Sequence, residues 1–238
     1  MKAVAPDYTV VAAATPFLGL GGSVIAGGFS LMSKEYGCIS DPENMLDVEV
    51  VKLDGSLVWA SSEPDLLWAH RGAYIGLGVV TRIKLRAYKY PQDIWGGSII
   101  IPRTKESEVA QAISAMDHSK AVENRVFALL IPMPQVFIVN AFDANGEEQG
   151  RQTFGPILQI EGAMDMTKTM DLAGFAQMQA QAEAQKGHLH QWFNPLALGK
   201  LSEELVLKSF DWQRQCAAQG TQATVMYELW GTVSNFSH

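Results

Sequence analysis

Glycine density is the feature that most constrains the backbone of this chain. Half of the ten residues from 19 to 28 are glycine, and the others in that run are small or apolar. Glycine has no Cβ, so such a run lets another group approach the backbone closely and leaves its N–H groups accessible. Two explanations follow from the glycines alone: a tight loop of the core, or a surface that receives a polar ligand.

Downstream residues extend the glycine run into an ordered series of blocks. The run GLGGSVIAGGFS is followed by Tyr36-Gly37 and by a turn from Asp41 to Asn44. Two apolar stretches around Asp54-Gly55 come next, and the blocks DLLWAHRG and GLGVVTRIKL follow them. An Asp-Gly pair between apolar runs predicts a β-hairpin with a type I′ turn, here over residues 48–61.

This order of blocks resembles the berberine-bridge-enzyme-like FAD-linked oxidases, whose flavin domain is of the vanillyl-alcohol-oxidase (PCMH) type. Members carry G-x-G-G-H-x-x-G-G-G-F-G, then Y-G, D-N, a hairpin around D-G, D-L-F-W-A-L-R-G and F-G-V-V-T. The resemblance covers residues 8–90 firmly and continues weakly to the end of the chain. It implies an FAD-linked oxidoreductase that oxidises a small organic metabolite, of an aromatic or polyketide-like kind, in a secondary-metabolite pathway.

The resemblance also implies which residues contact FAD. They lie in the glycine run, the Tyr-Gly pair, the Asp–Asn turn and the strand after the last glycines: Gly19, Gly21, Gly22, Gly27, Gly28, Phe29, Tyr36, Gly37, Asp41, Asn44, Val79 and Val80. The run is not a dinucleotide fingerprint of the G-x-G-x-x-G type, which needs a strand, a turn, a helix and an acidic residue about 20 positions later. No residue matches a motif for the catalytic base.

Departures from the family pattern affect how FAD is held. Thr15 stands where bicovalent members have the cysteine that bonds the flavin, and Ser23 replaces the histidine of G-G-H. Ala26 and Ser30 replace two motif glycines, and Pro42-Glu43 widens the D-N turn. The other covalent anchor of the family, a histidine in R-S-G-G-H, has no counterpart, so non-covalent FAD is expected.

The resemblance therefore predicts the middle of such an oxidase, shortened at both ends. A different function is also compatible with these departures. A ligand-binding or pericyclase-like protein on the same scaffold would use the pocket without redox chemistry, and this remains the alternative.

The predicted organisation has two parts, which together give an α+β fold class. Residues 1–90 form a partial PCMH-type FAD-binding domain, and residues 91–238 form a substrate-binding domain. In the first part, the pattern predicts a strand at 8–14, a glycine loop, a short helix at 30–36 and a helix capped by Asp65.

In the second part, an antiparallel sheet with helices on one face is expected. Strand-like runs occupy residues 125–131 and 135–142. The predicted helices are one capped by Thr104, one within residues 168–185 and one capped by Ser202.

Composition limits the partners. Apolar residues make up 47% of the chain, enough for a sizeable core, and the net charge of −7 disfavours nucleic acid and anionic membrane surfaces. No apolar run reaches the ~18 residues of a membrane-spanning helix, and the N-terminus is not a convincing signal peptide, which favours the cytoplasm. Two cysteines do not make a disulfide framework and are expected as free thiols. The expected partner is a small-molecule substrate.

Other candidate residues carry weaker signals. His188 and His190 share the spacing of a metal pair, but no ligand cluster accompanies them, and a loop is favoured. His70 is expected to be structural, and Tyr74 is either a flavin contact or a packing residue. No G-x-S-x-G motif supports a hydrolase. Five aromatic residues line a substrate pocket or belong to the core: Trp95, Phe127, Phe137, Trp192 and Phe193.

Overall fold

The structure of this protein is a computed structural model that describes residues 5–15, 17–73, 76–118, 125–178, 187–188 and 192–229. Its described residues divide into two compact units. The N-terminal unit extends to Gln92 and includes residues 176–178. The C-terminal unit contains Asp93–Phe175, residues 187–188 and residues 192–229.

The N-terminal unit is built on a three-stranded antiparallel sheet. Its central strand, β2 (Met45–Val51), lies between β3 (Leu57–Trp59) and β4 (Val79–Leu85). A separate two-stranded ribbon pairs β1 (Tyr8–Val10) with β5 (Ala87–Lys89). The central strand buries Met45, Val48 and Val50, and the other fully buried apolar side chains of the unit are Val24, Ile39 and Ala60.

The hairpin between β2 and β3 is confirmed, but its predicted two-residue type I′ turn is wrong. The Lys52 N–H donates to the Ser56 carbonyl, and the Gly55 N–H donates back to the Lys52 carbonyl, both at 2.9 Å. Three residues therefore lie between the paired positions, and Gly55 adopts a φ of 81°. A three-residue loop with a left-handed third residue is the next most common hairpin connection, and it suits the same Asp-Gly pair.

The glycine run forms a helix, so the predicted loop is wrong at this point. Helix α1 spans Leu20–Ala26 and ends at Gly27, which has a left-handed φ of 83°. Val24 is its one buried residue and fixes one side of the helix to the core. The next helix, α2 (Ser33–Tyr36), is shorter than the predicted 30–36.

Helix α3 spans Pro64–His70 and begins one residue before the predicted cap. Proline suits the first helical position because the N–H that it lacks would have no helical partner there. Asp65 consequently lies in the first turn rather than at the cap. A short 3-10 turn at Ala60–Ser62 leads into this helix.

The C-terminal unit contains a six-stranded antiparallel sheet, as predicted. Its strands are β6 (Asp93–Pro102), β7 (Val126–Pro132), β8 (Val136–Asp143), β9 (Met164–Asp165), β10 (Lys168–Asp171) and β11 (Tyr227–Leu229). The order is β10-β6-β8-β7-β11, with β9 also paired to β6. Together with its helices, this sheet confirms the α+β fold class.

Two long helices pack on one face of this sheet, α4 (Glu106–His118) and α8 (Glu203–Ala218). Ser202 caps α8 as predicted, because its hydroxyl accepts the Leu205 N–H at 3.2 Å. The prediction that Thr104 caps α4 is wrong, since Arg103–Lys105 forms a 3-10 turn before that helix.

Shorter helices complete the C-terminal unit. Helices α5 (Glu147–Thr153) and α6 (Gly155–Leu158) follow Asn145-Gly146 and lie outside the predicted helices. Of the helix expected over 168–185, the described part is strand β10 followed by α7 (Leu172–Gln177), and 179–186 lie outside the described residues. None of the described helices combines the length and apolar character that crossing a bilayer requires.

A close approach between α5 and β6 gives the first test of this packing. A Cβ added to Gly150 would overlap the ring of Trp95, which is fully buried. Because neither side can move freely, we expect Gly150→Ala to lower the free energy of unfolding by about 1–3 kcal/mol in urea titrations. Gly155→Ala is the matched control, since a Cβ there meets nothing within 4 Å. Equal stability of the two variants would contradict this packing.

Candidate functional site

Four of the predicted FAD contacts lie in the segment from Tyr36 to Asn44. The polar groups of this segment form hydrogen bonds with one another. One carboxylate oxygen of Asp41 accepts the Cys38 N–H at 2.7 Å. A Cβ on Gly37 would overlap that same oxygen, and Gly37 has a left-handed φ of 81°. The glycine at this position is therefore required by the turn itself.

Asn44 is the most fully bonded side chain of the segment. Its amide nitrogen donates to the carbonyls of Tyr36 and Cys38, at 2.7 and 2.6 Å. Its amide oxygen accepts the hydroxyl of Tyr88 at 2.7 Å. An amide has two donor hydrogens, so both donors of this side chain are used within the protein. With 2% of its surface exposed, the Asn44 side chain is enclosed by the contacts that it makes within the fold.

Tyr88 was not singled out from the sequence, yet it completes this cluster. Its ring stacks on that of Tyr36 with centroids 4.0 Å apart. Burial raises the pKa of Tyr88, which keeps the hydroxyl protonated as a donor to Asn44. No local pattern predicts this contact, because Tyr88 lies on β5, 44 positions after its acceptor in the turn before β2.

The Tyr36–Asn44 segment packs against the glycine pair that ends α1. The Ile39 N–H donates to the Gly28 carbonyl at 2.9 Å. A Cβ on Gly27 would lie 3.1 Å from the Ser40 hydroxyl, and one on Gly28 would lie 3.3 Å from the Ile39 side chain. Gly27 and Gly28 are thus brought together with Tyr36, Gly37, Asp41 and Asn44 by internal packing.

The other three glycines of the run have the opposite environment. A Cβ on Gly19, Gly21 or Gly22 would meet nothing within 4 Å, and all three residues are exposed. The first turn of α1 has no side-chain cap and no acidic residue. These glycines form an uncharged, open backbone surface, which fits a phosphate-bearing cofactor such as FAD.

The remaining predicted contacts are apolar. Phe29 is 54% exposed and follows the glycine pair, and Val79 is 66% exposed at the start of β4. Val80 is half-buried and pairs with Val50 of β2. A Cβ on Gly78 would lie 2.6 Å from the Val51 carbonyl, so this glycine lets β4 approach β2. Phe29 and Val79 are the two predicted contacts that offer exposed apolar surface.

The hydroxyl of Ser23, at the position of the family's histidine, is turned back on its own helix. It donates to the carbonyls of Gly19 and Leu20 at 3.1 and 3.2 Å. The side chain thereby stabilises the first turn of α1. A serine hydroxyl and the threonine at position 15 provide no cysteinyl or histidyl link to a flavin.

His70 is the most unusual titratable residue of the N-terminal unit. Its side chain is fully buried at the end of α3, and neither ring nitrogen has a hydrogen-bond partner among the described residues. Burial lowers the pKa of His70 below its ordinary value of 6.5, because the charged imidazolium would lose its hydration. This agrees with the expectation of a structural role.

Both cysteines carry free thiols, as predicted, and burial raises the pKa of Cys38, with a further rise from the Asp41 charge. Tyr74 and His190 lie outside the described residues. Within the described part of the chain, no three His, Cys, Asp or Glu side chains are placed to hold a metal ion.

Of the five candidate pocket aromatics, Trp95, Phe127 and Phe137 are buried, and Trp192 and Phe193 are exposed.

The C-terminal sheet has a second face, directed away from α4 and α8. Alternation places Ser98, Ile100, Leu129, Ile131, Ile138 and Asn140 on it, and all six are half-buried. The Ser98 hydroxyl donates to the Asn140 side-chain oxygen at 2.8 Å. The middle of this second sheet face is aliphatic with one polar pair, and the buried rings of Phe127 and Phe142 continue the same face.

Comparison with known proteins gives relatives that include FAD-linked oxidoreductases, a xylooligosaccharide oxidase and a solanapyrone synthase. The chain is 32% identical over 107 residues to an uncharacterized FAD-linked oxidoreductase of Arthroderma benhamiae, covering 44% of this chain and 21% of the relative. It is 37% identical over 112 residues to a bifunctional solanapyrone synthase of Alternaria solani, covering 46% of this chain and 21% of that protein. No family model matches the chain.

A solved structure extends the likeness over nearly the whole chain. The berberine-bridge-enzyme-like protein 1 of Physcomitrella patens superposes with a TM-score of 0.76 and 16% identity, over 98% of this chain and 53% of its own. This likeness establishes the fold, in agreement with the predicted PCMH-type architecture. The chain spans about half of that structure and about a fifth of the two curated relatives.

The buried imidazole of His70 makes stability depend on pH. Below about pH 6.5 the unfolded chain binds a proton at this residue that the folded chain resists, so stability falls as pH falls. When the pH is lowered from 7.5 to 5.5, the free energy of unfolding measured in urea titrations should fall less for His70→Leu than for the wild type. His188→Gln, at an exposed histidine, is the control that should follow the wild type. If His70→Leu kept the pH dependence of the wild type, the buried imidazole of His70 would not be its cause.

Proposed function

We propose that this chain, a relative of the berberine-bridge-enzyme-like FAD-linked oxidoreductases, binds FAD non-covalently and oxidises a small organic metabolite. The observation that carries the proposal is the sequence match to FAD-linked oxidoreductases at 32–37% identity, which coincides with a matching fold over 98% of the chain. The cofactor is assigned to the N-terminal unit, where the motif residues lie. The substrate is assigned to the C-terminal unit.

Two groups of residues in the N-terminal unit would hold FAD. The open glycines Gly19, Gly21 and Gly22 would receive its polar, phosphate-bearing part, since no side chain obstructs their backbone. The exposed Phe29 and Val79 would contact its apolar ring surfaces. Once bound, FAD supplies the acceptor for a hydride, and the protein contributes binding and orientation.

The substrate class is inferred from the second sheet face of the C-terminal unit. Four aliphatic side chains flank the Ser98–Asn140 pair there. A surface of that kind suits an apolar skeleton that presents a hydroxyl or carbonyl, because buried polar groups of a sugar would lack partners. The named relatives include both a solanapyrone synthase and a xylooligosaccharide oxidase, so the preference for an apolar metabolite rests on this sheet face alone.

FAD uptake is the direct test of the cofactor assignment. The purified protein should quench the fluorescence of added FAD with saturation, and Gly22→Glu should raise the dissociation constant by at least about tenfold through repulsion of the pyrophosphate. Gly199→Glu is the matched control, an equally open glycine in the C-terminal unit. A wild-type protein that takes up no FAD would refute the proposal and favour the non-redox alternative.

A second test addresses the substrate. Under anaerobic conditions, aromatic alcohols should bleach the visible absorbance of the FAD-loaded protein, whereas xylobiose should leave it unchanged at equal concentration. Ile138→Asp places a charge on the second sheet face and should slow the bleaching by aromatic alcohols, since the substrate would have to desolvate that charge. Faster bleaching by the disaccharide would contradict the proposed substrate class.

A further inference from the structure

Four of the predicted cofactor contacts make polar or close packing contacts within the N-terminal unit: Tyr36, Gly37, Asp41 and Asn44. Asp41 bonds the Cys38 N–H, Gly37 lies against Asp41, and the Tyr36 and Cys38 carbonyls are both bound by Asn44. A group whose donors are all used cannot also donate to a ligand. For Asn44, whose two amide donors are both used, a role in cofactor binding would therefore be indirect.

A continuous set of contacts connects Asn44 to the glycine turn. Asn44 fixes the carbonyls on both sides of Gly37, and the chain then runs directly to Ile39 and Ser40, which are buried. Ile39 bonds the Gly28 carbonyl, and Ser40 lies where a Cβ of Gly27 would be in contact. Gly27 is the left-handed residue that ends α1.

We propose that Asn44 is a positioning residue that sets the Gly27–Gly28 turn, and through it α1, for the binding of FAD. This inference rests on the proposed function, since it concerns the same cofactor. It assigns Asn44 no contact with FAD. Tyr88 shares the role, because its hydroxyl is the donor that holds the Asn44 amide in the orientation needed to bind both carbonyls.

The decisive variant is Asn44→Asp, which keeps the shape of the side chain and removes both donors. Its carboxylate oxygen would face the carbonyls of Tyr36 and Cys38 without a hydrogen between them. We expect the FAD dissociation constant to rise about tenfold or more, measured by fluorescence well below the unfolding midpoint. The Ile39 amide should exchange its hydrogen with solvent at least about tenfold faster, because its bond to Gly28 is loosened.

Val48→Ala is the control for a general loss of stability. Val48 is fully buried in β2 and belongs to neither the Tyr36–Asn44 segment nor the glycine turn. Its truncation should lower the unfolding midpoint while FAD affinity and Ile39 exchange stay within about twofold of the wild type. Equal weakening of FAD binding in both variants would overturn the proposal, and so would wild-type affinity in Asn44→Asp.

If Asn44→Asp does not fold, Tyr88→Phe replaces it in the test. This change removes one hydroxyl and keeps the stacked ring, so we expect a threefold to tenfold rise in the dissociation constant and faster Ile39 exchange. Unchanged values in Tyr88→Phe would then overturn the proposal. Lack of FAD uptake by the wild type refutes the proposed function and the cofactor role of Asn44 together, whereas normal uptake with unaffected variants refutes the positioning role alone.

Discussion

The organisation of the N-terminal unit depends on one buried amide. Asn44 joins two carbonyls around Gly37, which lie within eight residues of it in the chain, to the hydroxyl of Tyr88 on β5, which is 44 residues away. Buried carbonyls and hydroxyls are costly without partners, so this single side chain makes a tight, irregular turn compatible with a dry interior. It also ties the turn to the ribbon that contains Tyr88.

The glycines of the motif consequently serve two different physical purposes. Gly27 and Gly37 are left-handed, and together with Gly28 they lie against neighbouring residues so closely that a side chain would displace them. Their reason for being glycine is contained in the fold. Gly19, Gly21 and Gly22 have neither property, and their surroundings leave room for a side chain. One sequence run thus combines a structural turn with an open surface.

The sequence was sufficient for those features that are set locally. Alternation and turn residues identified the β2–β3 hairpin, strands β7 and β8, and the Ser202 cap. It failed where packing overrides local preference: the glycine run is helical because Val24 anchors it to the core, although glycine disfavours helices. The contact of Tyr88 with Asn44 could not be predicted, since it joins two segments through tertiary structure alone.

The packing of the described residues does not account for the open glycines of α1. Glycine in a helix costs up to about 1 kcal/mol relative to alanine, and Gly21 and Gly22 lie within α1. No close neighbour or left-handed backbone offsets that cost at these two positions. Local rules are typically broken where function requires it. Under the proposed function, a cofactor that reaches the backbone of α1 would explain why these positions lack side chains, whereas the packing of the described residues does not explain it.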